Sequence, residues 1–308
     1  MILITGITGK SGKWLLERLI KEQTTVSGMR LLEKKIRVTL RNSSDTTAID
    51  RCPLDIEKVY GNLDDINFVR SAMDNVTTVL HIAGIYSSLN IVKAAVENND
   101  INWLILVHTT GIFSKYKSAS SEYIQIEEEI ADLLKNKNIK LTILRPTMIY
   151  GSIVDKNVAI FIRMVDKLKF FPLVNNAKYL LQPVHEKDLG NAYFQILVNK
   201  EKTVDRDYVL SGKEPIMLID MLKIIGQYLG KNNIFISVPF LLAYSGGWIL
   251  YILSFGRVDY REKIQRLVEN RNFDHDDAIQ DFGYSPVSFE DGVKDEINEY
   301  IKNNKKLS

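Results

Sequence analysis

Ile2-Leu3-Ile4-Thr5-Gly6-Ile7-Thr8-Gly9-Lys10-Ser11-Gly12 is the stretch on which the reading of this sequence turns. A short apolar, β-favouring run meets three glycines at three-residue spacing. An amphipathic segment carrying Trp14, Leu15, Leu19 and Ile20 follows at once. In such a turn the first glycine permits a sharp reversal and the second lets backbone approach a pyrophosphate. The third allows a helix to pack closely on the strand, and the helix N-terminus offers N–H groups and a positive dipole end. The pattern predicts a dinucleotide phosphate loop built from Gly6, Thr8, Gly9, Lys10, Ser11 and Gly12, with an ordinary structural turn as the competing reading.

Outward from this loop, apolar runs at 2–5, 36–40, 58–60, 78–82, 103–108 and 140–144 alternate with helical patterns at 13–21, 66–73, 89–97 and 123–134. Near-continuous apolar strands separated by helices are what a parallel sheet covered on both faces requires. The fold class expected is α/β, a doubly wound parallel sheet of the Rossmann type. Beyond Gly151 helical patterns dominate, at 158–168, 187–198, 216–229, 261–269 and 292–301, with one strand at 207–210. Residues 1–150 therefore read as a dinucleotide-binding domain to which the chain returns near 186–212. Residues 151–308 read mainly as a smaller, helical substrate lobe ending in a solvated tail from 302.

An acidic residue at the end of the second strand would hold the ribose of NAD. Here 36–40 runs instead into Arg41-Asn42-Ser43-Ser44. A guanidinium beside small polar groups suits a 2′-phosphate, so NADP is favoured over NAD, with Arg41 and Asn42 at the cofactor. Glu33 upstream is the acidic alternative if the strand is displaced.

Composition excludes other classes. The 308 residues carry 40 Lys and Arg against 38 Asp and Glu, a net charge of +2 that gives no electrostatic reason to bind nucleic acid. Hydrophobic residues at 45% and charged residues at 25% describe a globular chain. A single cysteine, Cys52, forms no internal disulfide and no cysteine-based zinc site. With a strand where a signal peptide would stand, the expectation is a cytoplasmic protein. No metal is expected, since His81, His108, His185 and His275 lack ligand spacing, and no Gly-x-Ser-x-Gly elbow supports hydrolase chemistry. One run, 238–255, has no charge at all but contains Ser245-Gly246-Gly247, which suggests a break between two helices. Packing in the core or over the substrate is the favoured reading, and membrane-surface contact the lesser one.

Further motifs carry a resemblance. Gly61-Asn62-Leu63, His81-Ile82-Ala83-Gly84, Leu144-Arg145-Pro146-Thr147-Met148-Ile149-Tyr150-Gly151, Gln182-Pro183-Val184-His185 and Phe282-Gly283-Tyr284-Ser285-Pro286 follow the glycine loop in order. Together they resemble the extended or atypical short-chain dehydrogenase/reductases of the NAD(P)-dependent epimerase/dehydratase superfamily. The closest pattern is that of NmrA-like or complex-I-accessory-like members. The resemblance implies that Asn62, Leu63, Ile82, Ala83, Gly84, Pro146, Thr147 and Met148 also line the cofactor, although the family usually has Asp where Asn62 stands. It implies a catalytic Thr109 or Thr110 ending the fifth strand, and a catalytic Tyr123 opening a helix. The family's Lys, four residues beyond the Tyr, is Glu127 here. Any compensating cation would be the oxidised nicotinamide or a residue such as Lys115 or Lys117. Glu127-Glu128-Glu129 otherwise reads as a solvated helix face.

The activity implied is an NADP-linked oxidoreductase or epimerase of a small polar substrate, most plausibly a nucleotide sugar. The alternatives are a non-catalytic NAD(P)-binding redox sensor or complex-stabilising module, motivated by Glu127, and a reductase of a hydrophobic carbonyl, motivated by 238–255. The family would permit a homodimer.

Overall fold

The computed structural model describes residues 1–305, without the side chains of residues 117–119 and 305. Of the expected solvated tail, 306–308 lie outside the described residues.

Strands β1 (Ile2–Thr5), β2 (Ile36–Leu40), β3 (Ile56–Tyr60), β4 (Thr78–His81), β5 (Trp103–Val107) and β6 (Lys140–Pro146) form one sheet with an edge strand, Asp207–Leu210. The order is edge strand-β6-β5-β4-β1-β2-β3, and every pairing is parallel. Strand β1 lies between β4 and β2, with Thr5 level with His81 on one side and Thr39 on the other. From that point the chain winds outward in both directions, so a crevice opens at the carboxyl ends of β1 and β4, where such sheets bind ligands.

Alternate residues of each strand feed two cores. Ile2 and Ile4 pack with Leu15, Leu16 and Leu19 of the helix Gly12–Glu22 on one face, and Leu3, Val79, Leu104 and Leu106 pack with Ile91, Val92, Ile126 and Ile130 on the other. The chain returns to the first core through Val184 and the helix Glu186–Val198, whose Leu189, Ala192 and Tyr193 join it. A third cluster, with Tyr150, Val158, Ile162, Met221, Ile225, Val293 and Ile297, makes the second lobe.

Four local expectations are corrected. The helix carrying Tyr123 spans Lys117–Leu134, so Tyr123 stands in its second turn and does not open it. The polar stretch 117–122 has no apolar stripe from which the earlier start could be read. The run 238–255 is not broken at its glycines: Phe240–Leu253 is one helix. Gly247 faces the helix Arg261–Arg266, where a Cβ would stand only 2.9 Å from Ile264 Cδ1, so the glycine serves close packing. A parallel pair, Phe170–Val174 with Ile234–Val238, was not expected, because Pro172 argues against a strand. The terminal helix, Phe289–Lys305, runs past 302, where a loose end was expected.

Candidate functional site

Gly6 has φ +76°, and a Cβ there would lie 2.8 Å from Ala83 N; a Cβ on Gly12 would lie 2.2 Å from Gly6 O. No side chain fits either place, so the loop is pressed onto β4 on one side and onto its own helix on the other. Gly9 N donates to Gly6 O and Lys13 N to Gly9 O, which carries the turn into the helix. Below it, the buried His81 donates from Nε2 to Gly84 O (2.9 Å) and accepts at Nδ1 from Thr5 Oγ1 (2.7 Å). Burial lowers its pKa to about 4, so the ring is neutral and ties the ends of β1 and β4 together.

Around this loop is a cavity of about 500 Å³ lined by Gly6, Thr8, Gly9, Lys10, Ser11, Arg41, Asn62, Leu63, Ile82 and Ala83. Ser44, read from the sequence as a small polar neighbour of Arg41, lines it too, and so do Thr39, Asp64 and Ser87, which motif reading missed. The Ser11 hydroxyl is turned inward to Tyr193 (3.2 Å), leaving its backbone to face the cavity. Gly12 and Gly84 shape the turns without lining the cavity, and Asn42 stands exposed outside it. Arg41 is exposed in a turn closed by Arg41 N–H donating to Ser44 Oγ (3.0 Å). Glu33 lies at the opposite end of β2, a strand of five residues that spans roughly 16 Å, so it is remote from Arg41.

A second cavity, of about 740 Å³, meets the first at Lys10. Thr109, Thr110 and Gly111 line it from the end of β5, and Pro146, Thr147 and Met148 from the end of β6. Thr109 Oγ1 accepts from Gly111 N (3.0 Å), and Thr110 Oγ1 donates to Pro146 O (3.3 Å). The far wall was not legible from motifs: Lys156, Arg266, Glu269, Asn270 and Arg271. The buried Glu269 accepts from Lys115 N (2.6 Å) and Ser114 Oγ (3.0 Å), while Lys115 itself lines the cavity. Burial and the neighbouring charge of Arg266 lower Arg271 to about 10, and its Nε is buried without a hydrogen-bond partner. Five cations thus face one carboxylate, an arrangement that attracts an anion.

Tyr123 lies beside these cavities and lines neither of them. Its ring sits against Gly111, where a Cβ would approach Cε2 to 2.9 Å, and Tyr86 donates to its hydroxyl at 3.4 Å. The Lys117 side chain lies outside the described residues.

Glu127 is not on a solvated face. Its carboxylate accepts from His108 Nδ1 (2.9 Å) and from Arg145 Nη2 (2.6 Å), and Arg145 reaches on to Asp207 (2.9 Å). Burial pushes the Glu127 pKa up, but these hydrogen bonds outweigh it and hold the group below its ordinary value. His108 Nε2 pairs with the buried Ser88 hydroxyl at 3.1 Å. The place of the family's Lys is therefore occupied by a buried ion pair that ties the Tyr123 helix to β5, β6 and the edge strand. Among the described residues, no group of three or more His, Cys, Asp or Glu is placed to hold a metal.

No curated protein matches the chain in sequence. Its fold is shared along nearly its whole length with solved enzymes of low identity. UDP-glucose 4-epimerase of Thermotoga maritima, solved with UDP-glucose, is 15% identical, with a TM-score of 0.69 over 98% of this chain and 99% of that one. dTDP-glucose 4,6-dehydratase of Streptomyces venezuelae, solved with NAD, is 15% identical, with a TM-score of 0.71 over 99% and 98%. UDP-glucuronic acid 4-epimerase of Bacillus cereus, solved with UDP-glucuronic acid and NAD, is 14% identical, with a TM-score of 0.72 over 98% and 99%. Residues 2–108, from β1 through the glycine loop to just past β5, match the NAD dependent epimerase/dehydratase family model, about a third of the chain.

Proposed function

We propose that this chain is an NADP-dependent oxidoreductase or epimerase acting on a nucleotide sugar. The observation that carries the reading is the junction at Lys10 of a glycine-loop cavity with a cationic one. The first fits a dinucleotide: backbone of Gly6–Gly12 for the pyrophosphate, Asn62 and Leu63 beside the base, and Arg41 with Ser44 for a 2′-phosphate. A bound nicotinamide would supply a hydride acceptor and donor at the edge of the second cavity. There, Arg266, Arg271, Lys115 and Lys156 favour a substrate bearing phosphates, and 740 Å³ suits one of nucleotide-sugar size.

Within that cavity Thr109 and Thr110 present the sheet end to the reacting carbon. Tyr123 stands behind Gly111, outside that lining, and receives a hydrogen bond from Tyr86, which leaves its own O–H to donate to a substrate oxygen that reaches past Gly111. Tyr86 then stabilises charge on Tyr123 Oη as the proton leaves, part of what the family's Lys would do.

The test is turnover across a panel of UDP- and dTDP-sugars with cofactor bound. Interconversion or cofactor reduction that falls by about 10²-fold or more in Tyr123→Phe supports the reading. No turnover across the panel by a cofactor-loaded protein refutes it. A second reading, a cofactor-binding module without turnover, is favoured by the Glu127–Arg145 ion pair in the Lys position. Unchanged cellular function of Tyr123→Phe with intact cofactor affinity supports this alternative.

A further inference from the structure

The helix Phe240–Leu253 has no charged residue, and of its fourteen residues only Gly247 is buried. Leu241, Leu242, Ile249, Leu250, Ile252 and Leu253 are exposed, from 51% to 75%, and Phe255 just beyond is 94% exposed. At 100° per residue these leucines and isoleucines spread over about half of the helix circumference. A partner helix covers a narrower stripe, of about 100°. An apolar half-cylinder matches a different solvent, one that begins at a plane.

Length and flanks agree. Fourteen residues make about 21 Å, short of the roughly 30 Å hydrocarbon core, and among the described residues no helix is long and apolar enough to cross a membrane. Trp248 and Tyr251 lie toward the C-terminal end of the helix, and Tyr260 follows it, side chains suited to the headgroup level. Arg261 sits over the Trp248 and Tyr251 rings, at 4.2 and 4.0 Å. Charge is also distributed unevenly. Residues 161–180 and 221–270, which hold the helix, its neighbour Arg261–Arg266 and the paired strands leading into it, carry ten Lys and Arg against four Asp and Glu. The whole chain has a net charge of only +2. A positive surplus in the segments that carry an apolar face complements anionic headgroups.

We propose that the face formed by the helix Phe240–Leu253 and the turn through Tyr260 docks on an anionic phospholipid surface, lying in the interface without spanning it. The inference stands independently of the enzymatic reading.

The experiment is co-sedimentation of the full chain with phosphatidylcholine vesicles, with and without phosphatidylglycerol. Two double variants accompany it: Leu242→Glu with Ile249→Glu, and Arg257→Glu with Lys263→Glu. All four side chains are exposed, so the melting temperature should hold, which checks folding. Expected are binding to the anionic vesicles, a loss of roughly tenfold or more in each double variant, and weakening by salt. Absence of binding, equal binding to neutral vesicles, or binding unchanged in the Leu242/Ile249 variant overturns the proposal. So does a dimer that this variant dissociates in a protein that ignores vesicles, because the face then belongs to a second copy of the chain.

Discussion

At Glu127 one residue changes what a motif means. A Lys there would stand free beside a phenol, whereas Glu127 is fixed between His108 and Arg145 and is only 13% exposed in its side chain. Restoring the family's residue by Glu127→Lys should therefore not restore the family's site. It would set a second cation against Arg145 and leave that guanidinium unpaired on one side, a loss of about 3–5 kcal/mol in unfolding free energy by denaturant titration. Unchanged stability of the variant would show that the ion pair contributes little. Tyr86 acts in the opposite sense, as a donor to Tyr123. Tyr86→Phe should lower kcat by about tenfold or more with little effect on KM, and an equal rise in KM alone would assign Tyr86 to substrate binding instead. The sequence made Glu127 visible as a departure but not as a buried ion pair. Its partners His108, Arg145 and Asp207 come from β5, β6 and the edge strand, and no local spacing brings them together.

Among the elements, the terminal helix Phe289–Lys305 holds the most perturbed carboxyl. Glu296 is 1% exposed, and it receives Gly151 N at 3.1 Å. Burial first, then the charge of Asp155 nearby, raises its pKa to about 9. The folded protein thus holds a proton that the unfolded chain releases above about pH 4.5. That contribution to stability is complete below pH 4.5 and is lost as pH rises towards 9. Burial gives Asp188 the same direction, to about 6, and His81 the opposite one, its contribution being lost as pH falls from 6.5 to about 4. Thermal melting should therefore weaken from mildly acidic towards alkaline pH. Glu296→Gln should flatten that decline and melt higher than the wild type at pH 8; a parallel decline in both proteins would contradict the assignment. None of this could be read from 292–301, where Glu296 looks like one more charge on an amphipathic helix. Strands were more legible than helix ends, because a five-residue apolar run such as Trp103–Val107 names itself, while the polar first turns of Lys117–Leu134 do not.

For the whole molecule, the glycine loop was the most informative stretch, because its position after the first strand sets the switch point between β4 and β1 and hence the crevice. Arg41, Asn62 and the pair Ile82-Ala83, from three separate stretches of the chain, then meet Gly6–Ser11 around one cavity. The cationic wall of Arg266 and Arg271 stayed hidden, since it arrives from a lobe whose helices carry no motif. Replacing Arg271 by Ala should weaken competition by a nucleoside diphosphate by roughly tenfold to a hundredfold while sparing dinucleotide affinity. An equal loss of both would place Arg271 in the first cavity. The central claim, a dinucleotide held by the glycine loop and sorted by Arg41, is tested most directly by titrating NADPH and NADH against the wild type and Arg41→Ala. The account predicts saturable binding that favours NADPH and a selective loss of NADPH affinity, by about tenfold or more, in the variant. Equal affinities for the two cofactors in both proteins, or no binding of either, would contradict it.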